Sequence, residues 1–304
     1  MSVMKVVPPV EIAPAAMISN NVPETDNALW LVATAYKVSD RVMLNHRNYE
    51  ALVANTGRNP ETDTVSPPAW LDLGPTNRWK MFNKRAGNTW TIGTFTSNPE
   101  SIDLTVRPGK RINSIGLVGV RAASVQIQMI VGGSVVYDQT FSMSKKAGGS
   151  WYQYYFGEFK TKDNVARFDL PPFNGADIRV VALAPGSTAR IGMMVIGMAK
   201  TIGTAVHGSS IADERFSSVK EDDFGNVTII PRGKRQMVSF DIVLSSEEVS
   251  SVRRTLVPLS DTVALYVGSE NLDYTIIAGR FERLAMGLPT YGRANYSLET
   301  RSLI

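Results

Sequence analysis

The sequence predicts a mainly β protein with a small N-terminal aromatic-core β module, a central antiparallel β-sandwich of jelly-roll type and a C-terminal β-rich domain with one helix. Three observations predict it. Short runs rich in Val, Ile, Thr and Tyr recur from "SIDLTV" to "ANYSLETRSLI", separated by Gly, Pro, Asn or Asp. Only "SSEEVSSVRRTLV" carries a helical period. Trp30, Tyr36, Tyr49 and Trp70 gather in a stretch too short to build a core from aliphatic residues alone.

Length and composition set the frame. A chain of 304 residues, 43% hydrophobic and 20% charged, is long enough for two or three compact domains of ordinary globular type. It has no cysteine, which excludes disulfides, thiolate metal sites and a cysteine nucleophile. The net charge of +4 is spread without dense Lys/Arg blocks, so no specific nucleic-acid binding is expected. No apolar run approaches the ~18 residues of a membrane helix, so no membrane insertion is expected.

Taken in order, residues 1–26 read as an extended arm. Prolines interrupt the apolar run of "MSVMKVVPPVEIAPAAM", which argues against a signal peptide. With no core of its own, the arm is expected to lie across a neighbouring chain, where its prolines lower the ordering cost.

Residues 27–76 form the module. "DRVML" and "NYEALVA" read as strands joined by "NHR", and "AWLDLG" is a third apolar element. Residues 77–200 carry the regular strand rhythm of a sandwich, similar to galactose-binding-like sandwiches. Their clearest hairpin is "SVQIQMIVGGSVVYDQTF", turning at Gly132-Gly133. Residues 201–304 hold further strands and the helix. Ser245 or Ser246 is its expected cap, Glu247 and Glu248 lie in its first turn, and Val249, Val252 and Leu256 share one face. Arg253 and Arg254 should face outward.

Catalytic signatures are missing. His46 and His207 stand far apart, and no His-x-x-x-His, Gly-x-Ser-x-Gly or phosphate-loop pattern occurs. "EDDFGNVT" groups Glu221, Asp222, Asp223 and Asn226 without the alternating carboxylates and terminal Glu of a known calcium loop, so it reads as a turn. Glu158, Asp163, Asp169 and Asp177 are available for glycoside hydrolysis, but nothing in the sequence pairs them. The basic turns "RPGKR" (107–111) and "PRGKR" (231–235) read as solvated hairpin tips that could also meet phosphate or an acidic subunit face. No catalytic residue, metal or cofactor is expected.

The module resembles the small chitin- and cellulose-type carbohydrate-binding modules at Trp30, Tyr36, Asp40, Val42, Tyr49, Ala51, Gly57, Pro60 and Trp70. It departs from them at Ser39, where that family has a turn glycine. The resemblance implies a carbohydrate site at Tyr36, Asp40, Tyr49 and Trp70 if the ancestral role persists. If the module is only scaffold, the same rings form its core. The scaffold is favoured, since so small a core can hardly spare them.

Over nearly its full length the chain resembles a family of tailed-bacteriophage virion and prophage proteins. "KVVPPVEIAPAAMISNNVPETD", "PTNRWKMF", "EDDFGNVTIIPRGKRQMVSFDI" and "SVRRTLVPL" occur in the order that family has them. This resemblance implies a non-enzymatic, homo-oligomeric structural component of a tail tip, baseplate or fibre-attachment region. Its implied partners are other tail proteins and copies of itself, and its implied location is the virion, after assembly in the host cytoplasm. A receptor-binding lectin touching host surface glycan is the alternative.

Overall fold

The computed structural model describes residues 2–82, 85–86, 89–90, 94–145, 160–206, 208–221, 224, 226–230, 234–287 and 292–303. Strands dominate, as expected, and the one α-helix among the described residues is Val249–Leu256. Three bodies are built on separate apolar cores.

In the module, strands Ala28–Leu29, Arg41–Leu44, Arg47–Ala51 and Trp70–Pro75 form one sheet in that order. The turn between Arg41–Leu44 and Arg47–Ala51 is Asn45-His46, both at positive φ (46° and 68°). That backbone matches the right-handed twist of a two-residue hairpin.

The sandwich sets a five-stranded sheet against a three-stranded one. In the larger sheet, Thr96–Val106 and Ser124–Val131 flank Asp177–Ile191. The Gly132-Gly133 turn has φ of 57° and 85°, as the hairpin reading requires. The smaller sheet consists of Val165–Arg167, Ser114–Val118 and Met193–Gly197. Every residue of the last two strands is buried. Ile115, Leu117, Met194 and Ile196 enter the sandwich core, whereas Val118, Met193 and Val195 pack outward against Val7, Leu265 and Val267 of the C-terminal body. A sheet covered on both faces explains why "SIGLV" and "MMVIG" are continuously apolar instead of alternating. Gly116 permits this approach, because a Cβ there would stand 2.3 Å from Leu265 Cδ2.

The C-terminal body is a closed barrel. Around it run Lys200–Ala205, Ser2–Val7, Ala264–Val267, Ile276–Met286, Arg293–Ser302 and Lys234–Ser245. The ring closes where Thr204 and Ala205 pair with Val243 and Ile242. The helix lays Val252 and Leu256 into the barrel core, with Val249 packed against it, while Arg253 and Arg254 are exposed. Its cap differs from expectation. Ser245 ends the preceding strand, and Glu248 stands at the N-cap without a side-chain capping bond.

The N-terminal arm is a correction. Residues 2–26 are not a free strap awaiting another chain; they lace the three bodies together. Ser2–Val7 is a barrel strand between Lys200–Ala205 and Ala264–Val267, with Met4 and Val6 in the barrel core. Val10 and Ile12 pack on the sandwich core, and Met17–Asn20 adds an edge strand to its larger sheet. Glu24 and Asp26 then bind the module, as described below. The physical reason is backbone satisfaction: an apolar segment with open donors and acceptors gains most by entering a sheet, and the barrel lacks closure without it.

Candidate functional site

The four residues that the module resemblance marked lie close together, but not as a ligand surface. Tyr36, Tyr49 and Trp70 are only 8%, 4% and 7% exposed and form the module core with Val42, Ala51 and Ala69. Tyr36 and Trp70 meet edge to face, with centroids 5.2 Å apart and planes at 71°. Their polar ends are also engaged: Trp70 Nε1 donates to the Arg58 carbonyl at 2.8 Å, and the Tyr36 hydroxyl accepts from the Leu31 amide at 2.7 Å. Burial, with the Asp72 carboxylate adding to it, pushes the Tyr49 hydroxyl up to about 12. A sugar-stacking role for these three rings is therefore corrected: stacking needs an open ring face, and these faces are filled by the core.

Asp40 is exposed and ties its own turn. Its Oδ2 accepts from the Lys37 amide at 2.7 Å, and its amide donates to the Lys37 carbonyl at 3.1 Å. In this turn Ser39 holds φ of 72°, the left-handed conformation that favours glycine. Opposite, Asp63 braces the loop before Trp70. It accepts from Arg58 and from the Val65 and Ala69 amides, which hold its carboxyl below the usual range.

A dense polar cluster sits where arm, module and sandwich meet. Glu24 accepts from His46 Nδ1 at 2.8 Å and from Thr76 Oγ1 at 2.7 Å. Asp26 accepts from Asn48 Nδ2 and from the Asn77 amide. The His46 ring lies 4.7 Å from that of Trp79, which is buried on the short helix Asn77–Phe82 leading into the sandwich. His46 thus serves a junction. Among the described residues no group of His, Asp and Glu could hold a metal; His207, Asp222 and Asp223 lie outside the described residues.

Of the carboxylates weighed for glycoside hydrolysis, Asp169 accepts from the Tyr137 hydroxyl and Asp177 pairs with Arg107 of the 107–111 turn at 2.5 Å. Glu158 lies outside the described residues, as do residues 231–233 of the second basic turn. Asp163 lines a cleft.

That cleft was not foreseen. A cavity of about 540 Å³ opens between sandwich and barrel, bordered by Arg121, Asp163 and Arg190 on one side and Asp213 and Gln236 on the other. A second cavity, of about 620 Å³, continues along the sandwich past Lys162, Ser187 and Thr188 and shares Arg121, Asp163 and Arg190 with the first. Arg121 and Arg190 face each other across an antiparallel bridge, exchanging backbone bonds of 2.9 and 3.0 Å. The Arg190 guanidinium lies 4.6 Å from the centre of the Phe95 ring. Asn164 bolts the cleft floor: its Nδ2 donates to the Asp273 and Ile276 carbonyls of the barrel, and its Oδ1 accepts from the Gly119 amide. The only local signal of the arginine pair is a lone Arg in each of two small or apolar runs, "GVRAAS" and "STARIGMM".

No protein-family model matches the chain, and no curated protein matches it.

Proposed function

We propose that the chain is a non-enzymatic structural component of a bacteriophage tail, in its tip, baseplate or fibre-attachment region, assembled with copies of itself and with other tail proteins. The ordered motifs from "KVVPPVEI" to "SVRRTLVPL" support the class. One structural observation carries the assembly role. Beyond the barrel, Ser218–Glu221 and Val227–Ile230 continue the hairpin of Ser210–Arg215 and Lys234–Ser245 as a two-stranded ribbon. Its register puts Val219, Ile229 and Val227 on one face, and all three are more than half exposed. A lone two-stranded ribbon is marginal in water, and an apolar face on it is a surface for a neighbour. The module's buried rings fit the same reading, in which a carbohydrate-binding scaffold serves as a rigid spacer.

Immunogold electron microscopy of purified particles, with antibody against this chain, tests the proposal. Label confined to the tail supports it. Intact, tailed particles that lack the chain altogether would end it.

A further inference from the structure

We infer that the cleft under Arg121 and Arg190 is a binding site for an acidic saccharide chain, with a sugar carboxylate held between the two guanidinium groups. The inference is independent of where the chain sits in a particle.

Like charges placed directly opposite on an antiparallel pair repel and destabilise it. Another directly opposed arginine pair, Arg280 and Arg301 in the barrel, is neutralised by Glu282 at 3.1 and 3.6 Å, and on the sandwich Arg179 meets Asp103 at 2.6 Å. Among the described residues, Arg121 and Arg190 have no carboxylate within ion-pair distance, although Asp163 borders the same cleft. Their shared bridge locks the two backbones together, and Phe95 steadies one of the side chains. Two arginines opposed on one backbone bridge can turn their planar donor forks toward one anion, and such forks recognise a carboxylate or phosphate by two parallel bonds.

The space around the pair selects the size of the ligand. Cavities of about 540 and 620 Å³ are both lined by the two arginines. Each falls within the range that takes a small organic molecule, so together they suit an elongated ligand and exceed the needs of a lone inorganic ion. The remaining lining is suited to hydroxyls. Asp163 can accept from them, Gln236 can accept through its amide oxygen, and Ser187 and Thr188 can do either. Arginines for the charge and neutral or acidic acceptors for the hydroxyls together describe a uronic-acid chain better than a bare phosphate.

Titration calorimetry on the full chain tests this with a galacturonate trisaccharide, its neutral methyl ester and inorganic phosphate. The acid trisaccharide should bind, weaken with added salt, and bind at least 10-fold more tightly than the ester. R121Q/R190Q should melt as the parent does and lose at least 10-fold in affinity. R253Q/R254Q, which removes two exposed helix arginines, should bind unchanged. Equal binding of acid and ester, an R121Q/R190Q variant that binds like the parent, or equal loss in both double variants would overturn the site. Binding of phosphate without binding of the trisaccharide would overturn the saccharide assignment.

Discussion

Substituting Met4 by alanine tests whether the N-terminal segment is a built-in strand or an assembly strap. Met4 is fully buried in the barrel core, on a strand hydrogen-bonded on both sides. Truncating a buried Met removes its transfer free energy and leaves a cavity in a closed wall that cannot collapse freely, at a cost of about 2–5 kcal/mol. Total stability of a domain is only about 5–15 kcal/mol, so this is a large fraction of it. For a domain near 100 residues the loss corresponds to a fall in Tm on the order of 10 °C or more. Val3, the neighbour on the same strand, is half exposed and supplies an internal control. Val3→Ala should stay within about 0.5 kcal/mol of the parent. Urea melts of the isolated chain, followed by tryptophan fluorescence and near-UV circular dichroism, read both. A Met4→Ala variant with the same midpoint as Val3→Ala would refute the barrel-strand assignment.

Other substitutions have equally definite outcomes. Val252→Asp places a charge in the barrel core beneath the helix and should cost several kcal/mol in a thermal melt. Ser39→Gly relieves a left-handed φ in the module turn and should raise its stability by roughly 0.5–1 kcal/mol. Asn164→Ala strands two barrel carbonyls and the Gly119 amide, and should cost about 1–3 kcal/mol in urea melts. Alkaline pH should destabilise the fold. Burial raises the hydroxyl pKa values of Tyr49, Tyr266 and Tyr296 above that of an unfolded tyrosine, so the native state holds more protons above about pH 10. The stability these groups contribute is complete below that pH and is lost as pH climbs, through about 12 for Tyr49 and higher still for Tyr266 and Tyr296. A Tm that is flat across this range would contradict the burial of the three rings.

Local chemistry made much of the fold legible. Strand runs, the Gly132-Gly133 turn and the face of the helix follow from period and turn geometry, which involve residues near each other in sequence. The aromatic core was legible from size alone, because a sheet of this length has little besides Tyr36, Tyr49 and Trp70 to bury. The arm was not. "SVMKVV" reads as a strand or an extended strap equally well, and its partners, Lys200–Ala205 and Ala264–Val267, lie about 200 residues or more away. No local pattern specifies such a pairing. The cleft was hidden for the same reason: Arg121 and Arg190 become a pair only when the sandwich brings a loop and a distant strand together at one isolated bridge. The Glu24–His46–Trp79 junction likewise joins an arm, a hairpin turn and a short helix that are separate in the chain.

The central claim is that Tyr36, Tyr49 and Trp70 are consumed by the module's own core and leave no open ring face for a ligand. Trp70→Ala tests it most directly, measured by near-UV circular dichroism and thermal unfolding of the full chain alongside binding of chitin and cellulose oligosaccharides by the parent. The account predicts a parent with no oligosaccharide binding through the module and a variant that loses about 3–5 kcal/mol of module stability. A parent that binds, with a Trp70→Ala variant that keeps its fold and loses only the binding, would contradict it.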